Sequence, residues 1–208
     1  LGGKIATRLG NGLAPLEPGE TDTVIIAGMG GDLICKILKA KPEFLIEGKE
    51  FILQPQSEWF KVRRLLKEYH YQIEKEWFLK EDGKYYVIIK AEPAWTQPQR
   101  LKHQQPSIHE YIKEISETPA NQAVSEKDME SIYEQYGKYL IETKNPVLKE
   151  YLKKEITKKE SIAAELKQSI KEMESEELSG KERGNIAKRQ RRYQEIQKEI
   201  RDMRKAIG

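Results

Sequence analysis

Thr23-Val24-Ile25-Ile26-Ala27-Gly28-Met29-Gly30-Gly31 is an unbroken apolar run that stops at a cluster of glycines. A run without polar alternation predicts a strand buried on both faces, as in a parallel sheet. Leu33, Ile34, Ile37 and Leu38 follow at helical spacing, so strand, glycine turn and helix stand in the order of a βα unit. Downstream, Phe51-Ile52-Leu53 predicts a second buried strand that ends at Gln54-Pro55-Gln56. Ser57 then reads as an N-cap, and Trp59, Val62, Leu66 and Tyr69 give the next crossover helix. Tyr71 to Leu79 places Tyr71, Ile73, Trp77 and Leu79 on one side, and Tyr85 to Lys90 is a further strand. The Asp82-Gly83 pair between them is a hairpin signal, so this part ends antiparallel. Upstream, Ile5, Thr7 and Leu9 alternate as a short strand before the Gly10-Asn11-Gly12 turn. Residues 1–96 therefore read as an α/β sheet with crossover helices.

From there the chain reads as helical. Pro93, Pro98 and Pro106 mark a linker, and residues 97–145 are linker and short helices: a Ser107/Glu110 capping box before Ile108, Tyr111, Ile112 and Ile115, then Met129, Ile132, Tyr133 and Tyr136. Asn145-Pro146 supplies an N-cap and a proline at the first helical position. It opens a run with Leu152, Ile156, Ala163, Leu166, Ile170 and Met173 at heptad spacing. Ser179-Gly180 interrupts that run, and Ile186, Tyr193, Ile200 and Ile207, with Ile196 and Met203, form a second heptad series. Two heptad helices joined by a short turn predict an antiparallel coiled-coil hairpin over residues 146–208.

An arm of about 27 residues is ~40 Å long and has little interior. That accounts for a charged fraction of 34% and a mean hydropathy of -0.76, against roughly a quarter charged residues in an average domain. No stretch approaches the ~18 apolar residues of a membrane helix and nothing at the start reads as a leader, so a soluble, cytoplasmic protein is expected. A single cysteine, Cys35, excludes an internal disulfide, and His70, His103 and His109 lack metal-ligand spacing. No metal is expected. From Lys181 onward there are ten basic and four acidic residues, a local excess that the global charge of +3 conceals.

In an open α/β sheet, ligands bind outside the carboxyl ends of the strands. Gly10-Asn11-Gly12-Leu13, Gly28-Met29-Gly30-Gly31 and Gln54-Pro55-Gln56 all lie at such ends. Glycine lets a ligand approach the backbone, and a helix beginning at Gly31-Asp32 has free N–H groups that could face an anion or a carbonyl. On spacing alone these turns are equally well explained as ordinary strand-to-helix connections.

Together they resemble something specific. Ala27-Gly28-Met29-Gly30-Gly31, a helix, Leu53-Gln54-Pro55, a helix, and a final hairpin with Gly83-Lys84-Tyr85-Tyr86 look like the second half of the bacterial tRNA (adenine-22-N1)-methyltransferase family. That family joins a Rossmann-like domain to a C-terminal helical coiled-coil extension. The resemblance implies S-adenosylmethionine as methyl donor and N1 of a tRNA adenine as acceptor. It implies a catalytic loop at Gly28, Met29, Gly30 and Gly31, and cofactor contacts at Asn11, Gly12, Gly28, Gln54 and Pro55. Asp32 is read as a helix cap. The family's first glycine-rich acidic turn, and the acidic residue that holds the cofactor ribose, are expected upstream of Leu1.

Adenine N1 carries an in-plane lone pair at neutral pH, so it attacks a sulfonium methyl without a dedicated base, and positioning supplies much of the acceleration. A paired N1 edge is inaccessible, so the base must be unpaired or flipped. The basic tail, with Lys181, Arg183, Lys188, Arg189, Arg191 and Arg192, is the candidate RNA surface, or equally the solvated face of a coiled coil. RNA-binding is assigned to Lys188, Arg189, Arg191 and Arg192. Tyr85, Tyr86 and Trp95 could stack on a base or pack in the core. A monomer or weak dimer is expected. Two rival readings remain open: a methyltransferase of another base or RNA, and a non-catalytic α/β scaffold with a helical docking arm.

Overall fold

A computed structural model describes residues 5–94, 120–174 and 180–208, with side chains omitted at 120–127, 174 and 180–182. It divides into two compact units, residues 1–140 and 141–208. The expected capping box at Ser107 and its helix, Trp95, His103, His109 and Ser179 lie outside the described residues.

The first unit holds a mixed sheet of β1 (Thr23–Met29), β2 (Glu50–Pro55), β3 (Tyr71–Glu81) and β4 (Lys84–Pro93), in the order β1-β2-β4-β3. β1 and β2 are parallel; β4 runs antiparallel to both its neighbours. Helices α1 (Gly31–Ala40) and α2 (Pro42–Ile46) form the crossover between the parallel strands, and α3 (Trp59–Glu68) connects β2 to β3. The apolar faces of α1 and α3 put Ile34, Leu38, Val62, Leu65 and Leu66 into a core shared with Val24, Ile26, Phe51, Leu53, Val87 and Ile89, all buried. The β3–β4 hairpin turns on Asp82 (φ 47) and Gly83 (φ 75), the two left-handed positions that a type I′ turn requires.

Four expectations need correction. Residues 5–9 form no strand, and Ile5 and Leu9 are exposed: alternation becomes a strand only beside a partner, and among the described residues β1 pairs only with β2. β1 is not buried on both faces. Val24 and Ile26 are buried, but Ile25 is 67% exposed, because the described helices cover one side of the sheet. In β3 the register shifts between Ile73 and Lys75, a bulge that reverses the alternation downstream. Glu76 and Phe78 therefore join Tyr71 on the buried side, and Leu79 is exposed. Ser57 is not the N-cap of α3; Glu58 occupies that position at φ 51, with no side-chain cap bond.

The first unit continues past residue 96. Helix α4 (Ala120–Tyr136) packs on α3, tied by ion pairs from Arg64 to Glu134 and from Lys67 to Glu130. A short helix, α5 (Lys138–Glu142), follows.

The second unit consists chiefly of α6 (Pro146–Glu174) and α7 (Gly180–Ile207). Leu148, Leu152, Ile156 and Ala163 of α6 and Ile186, Ile196, Ile200 and Met203 of α7 are buried. Contacts of Arg204 with Glu160, Lys159 with Glu199 and Arg189 with Ser169 show that the two helices run antiparallel. Asn145 caps α6, its Oδ1 accepting from the N–H groups of Val147 and Leu148 at 3.0 Å each. Asn145→Ala is expected to cost about 1 kcal/mol, read as a lower urea midpoint at unchanged slope; an unchanged midpoint would show the cap to be idle. Among the described residues no helix is long and apolar enough to cross a membrane.

Candidate active site

The parallel pair β1 and β2 brings their carboxyl ends, and the turns that leave them, side by side, and the expected turn residues Gln54 and Pro55 are the last two of β2. Ala27 pairs with Gln54 and Met29 with Pro55, so Gly28 is an extra residue opposite nothing in β2. Its φ of +76 lies in the left-handed region, which a side chain would strain, although a Cβ there would meet open space.

Four hydrogen bonds lace the turns together. The Gly28 N–H donates to Gln54 Oε1 at 2.8 Å, the Gln56 N–H to the Met29 carbonyl at 2.8 Å, and the Gly31 N–H to the Ser57 carbonyl at 2.9 Å. The Asp32 N–H donates to Glu58 Oε2 at 3.3 Å. Two of the amides at the start of α1 are therefore committed to the neighbouring turn, rather than free for an anion as the helix N-terminus alone suggested.

The glycines differ in what they require. Gly31 is buried, and a Cβ there would stand 2.6 Å from the Glu58 carbonyl oxygen and 2.7 Å from that of Ser57. At Gly30 a Cβ would meet only Ser57 Oγ, at 3.2 Å. Crowding thus falls on Gly31. Gly30, with extended backbone, is the N-cap of α1. Asp32 is not a cap: its carboxylate pairs with Lys36 at 2.8 Å and Lys61 at 3.0 Å, and hydrogen bonds from both lysines hold its pKa below the usual value. Lys61 also pairs with Glu58 at 2.5 Å, which pins the start of α3 to the start of α1.

Of the residues assigned from sequence, the fold brings Gly28, Met29, Gly30, Gly31, Gln54 and Pro55 together. Asn11 is exposed, and Gly12 (φ +59) lies against Ile37 of α1, where a Cβ would be 2.9 Å from its Cγ2. Ile37 is six residues beyond Gly31, or ~9 Å along a helix. Ser57, Glu58 and Lys61 were not assigned, and their part in the rim is carried by backbone atoms and ion pairs that no residue pattern displays.

Lys188, Arg189, Arg191 and Arg192 are exposed on α7, in the second unit. Arg192 pairs with Glu195 at 3.1 Å and Glu199 at 3.5 Å, and Arg189 donates to Ser169. Among the described residues Lys188 and Arg191 make no ion pair. The side chain of Lys181 lies outside the described set. Tyr85 and Tyr86 are half-buried, with the Tyr85 ring centroid 5.8 Å from that of Phe78, which favours packing.

Comparison with known proteins gives a consistent picture. The family described as tRNA (adenine(22)-N(1))-methyltransferase matches residues 1–189. The tRNA (adenine(22)-N(1))-methyltransferase of Bacillus subtilis (strain 168) is 40% identical over 92 residues, which are 44% of this chain and 39% of that protein. The chain thus matches well under half the length of that curated relative. The crystal structure of the B. subtilis M1A22 tRNA methyltransferase TrmK superposes with a TM-score of 0.62 at 23% identity, covering 97% of this chain and 69% of that one. That of M. capricolum TrmK, in complex with S-adenosyl-homocysteine, gives 0.57 at 20% identity, covering 97% and 67%. These two likenesses establish the α/β fold with its mixed sheet.

Proposed function

The chain belongs to the tRNA (adenine(22)-N(1))-methyltransferase family, and on that premise we propose that it takes part in methyl transfer from S-adenosylmethionine to N1 of adenine 22 in tRNA, in the cytoplasm, as a monomer or weak dimer. The observation that carries the reading is the laced pair of turns at the carboxyl ends of β1 and β2. This is where a ligand of an open α/β sheet binds.

The residues fit a cofactor that must lie close to the backbone. Gly28 leaves the space a Cβ would fill open, and Gly28 to Gly31, with Gln54 and Pro55, form the rim that would hold it. Asn11 and Gly12 are proposed beside its adenine on the family resemblance. When bound, S-adenosylmethionine supplies an electrophilic methyl group. The chain's own contribution is orientation: the two turns, fixed to each other, set where the adenine N1 lone pair can approach. Asp32 is held ionised by Lys36 and Lys61, and N1 needs no proton removed.

We assign the antiparallel α6–α7 pair as a coiled-coil arm over residues 146–208 that contacts tRNA phosphates. Because Arg192 and Arg189 already have partners, Lys188 and Arg191 are its strongest RNA contacts. Replacing both with Gln should flatten the slope of log Kd for tRNA against log salt by about 2, roughly one per phosphate contact. An unchanged slope would remove this face from the RNA interface.

The deciding experiment measures transfer of labelled methyl from S-adenosylmethionine to unmodified tRNA and maps the modified base. The full-length gene product is assayed beside these 208 residues, and label on N1 of adenine 22 is expected from the full-length protein. Label elsewhere in the RNA would move the reading to another methyltransferase, and no label with no tRNA binding would move it to a scaffold.

A further inference from the structure

We propose that Gln54, beyond its place on the cofactor rim, is a positioning residue whose side chain sets the Gly28 turn for methyl transfer by acting on the backbone. The inference rests on the function proposed above. Gly28 is the extra residue of the β1–β2 ladder, so no backbone group of β2 stands opposite it to define its conformation. The carboxamide of Gln54 does that instead, its Oε1 accepting the Gly28 N–H at 2.8 Å. A side chain thus replaces a ladder bond at the one residue of the turn whose φ, +76, lies in the left-handed region.

The orientation of that carboxamide is determined. Turning it over would set an NH2 group against an N–H, donor against donor. With Oε1 facing Gly28, Nε2 points away and is buried without a partner. Leaving a buried donor unsatisfied is unfavourable, and the fold tolerates it in return for an acceptor at this position. Reach matters as well: an asparagine is one methylene shorter and cannot span from β2 to the bulged residue without moving one of the turns.

The chemistry gives this geometry a kinetic consequence. Where positioning supplies the acceleration, a displacement of about 1 Å can cost ~100-fold in rate, and Gly28 has no other described hydrogen bond to hold its N–H. Loss of the clamp should therefore lower kcat and leave the KM for tRNA nearly unchanged, since the tRNA contacts assigned above lie in the second unit.

The test compares Gln54→Leu, which removes the acceptor, with Gln54→Glu, whose carboxylate oxygen still accepts from Gly28. Amide hydrogen exchange is followed by NMR on these 208 residues, alongside methyl transfer to tRNA by the full-length protein carrying the same change. In Gln54→Leu the Gly28 amide is expected to exchange at least ~10-fold faster, while Gln56, bonded to the Met29 carbonyl, keeps its protection. The kcat should fall ~10- to 100-fold, and Gln54→Glu should restore protection and most of the rate. Unchanged Gly28 exchange in Gln54→Leu, or an unchanged kcat in it beside an active wild type, overturns the inference alone. So does equal loss of kcat in both variants while only Gln54→Glu protects Gly28, because that pattern marks direct contact through Nε2. An inactive full-length wild type overturns the proposed function and the inference with it.

Discussion

Gly31→Ala is expected to abolish methyl transfer and to lower the stability of the first unit by about 1–3 kcal/mol, the range for inserting a methyl group into a packed site. The atoms in its way are the carbonyl oxygens of Glu58 and Ser57, 2.6 and 2.7 Å from the new Cβ. Backbone atoms cannot rotate aside as a side-chain tip can. Relief requires the Ser57–Glu58 segment to move off α1, which breaks the 2.9 Å bond from the Gly31 N–H to the Ser57 carbonyl and loosens the bond from the Asp32 N–H to Glu58. The rim then loses the fixed spacing on which the proposed transfer depends. Gly30→Ala is the internal comparison: only Ser57 Oγ lies nearby, at 3.2 Å, and the Ser57 side chain can rotate. It should keep the urea midpoint close to wild type. A Gly31→Ala protein with normal midpoint and normal turnover would show that this contact does not shape the site.

Arg63→Met should be the most destabilising single change among the described residues, at about 3–5 kcal/mol. Arg63 and Glu76 are both buried, at 4% and 2% exposure, and joined from Nε to Oε1 at 2.7 Å. Nη1 of the same guanidinium donates to the carbonyls of Glu134 and Gln135 at 3.0 Å each, so one side chain of α3 bonds one oxygen of a β3 carboxylate and two orphan C-terminal carbonyls of α4, while Arg63 Nη2 and Glu76 Oε2 stay buried without a hydrogen bond. Gly137 closes the cluster: at φ +90 it ends α4, and a Cβ there would run into Glu76 Oε2. Removing Arg63 strands a carboxylate in the core. Burial already pushes the Glu76 pKa above its ordinary 4.5, with Arg63 opposing the rise, so loss of Arg63 raises it further. A group whose folded pKa is raised stabilises the fold below its unfolded pKa, and that contribution fades as pH climbs through the folded value. The deficit of Arg63→Met should therefore be smallest below about pH 4.5 and grow toward neutrality. Arg63→Met combined with Glu76→Leu should recover much of the loss. A pH-independent deficit, or no recovery in the double variant, would show that the stranded charge is not the cause.

Much of the framework was legible because local signals and tertiary context agree. The glycine turn at the end of β1 and the Asp82-Gly83 hairpin each depend on residues whose backbone preferences are strong in isolation, and both stand where the residue pattern puts them, whereas Gln54 and Pro55, read as a turn, are the last two residues of β2 because they pair with Ala27 and Met29. The failures share one cause. Ile5 to Leu9 alternates correctly for a strand yet has no strand partner among the described residues, where the apolar run of β1 is also covered on one side only. Burial is a property of what lies opposite, which a run of residues does not contain. The bulge at Ile73–Lys75 likewise changes which face Trp77 presents without leaving a compositional trace.

At the candidate site the division is equally physical. The sequence by itself determined the identity and order of the turns, because glycine and proline act through the φ and ψ of their own residues, and the heptad spacing that pairs α6 with α7. Tertiary structure alone decided that Gly31, and not Gly30, bears the steric constraint, that Gln54 reaches Gly28, and that Arg63 and Glu76 meet under the end of α4. Those outcomes depend on distances between residues 13 to 72 positions apart along the chain, and such distances exist only once the sheet register and the packing of α1, α3 and α4 have brought the segments together.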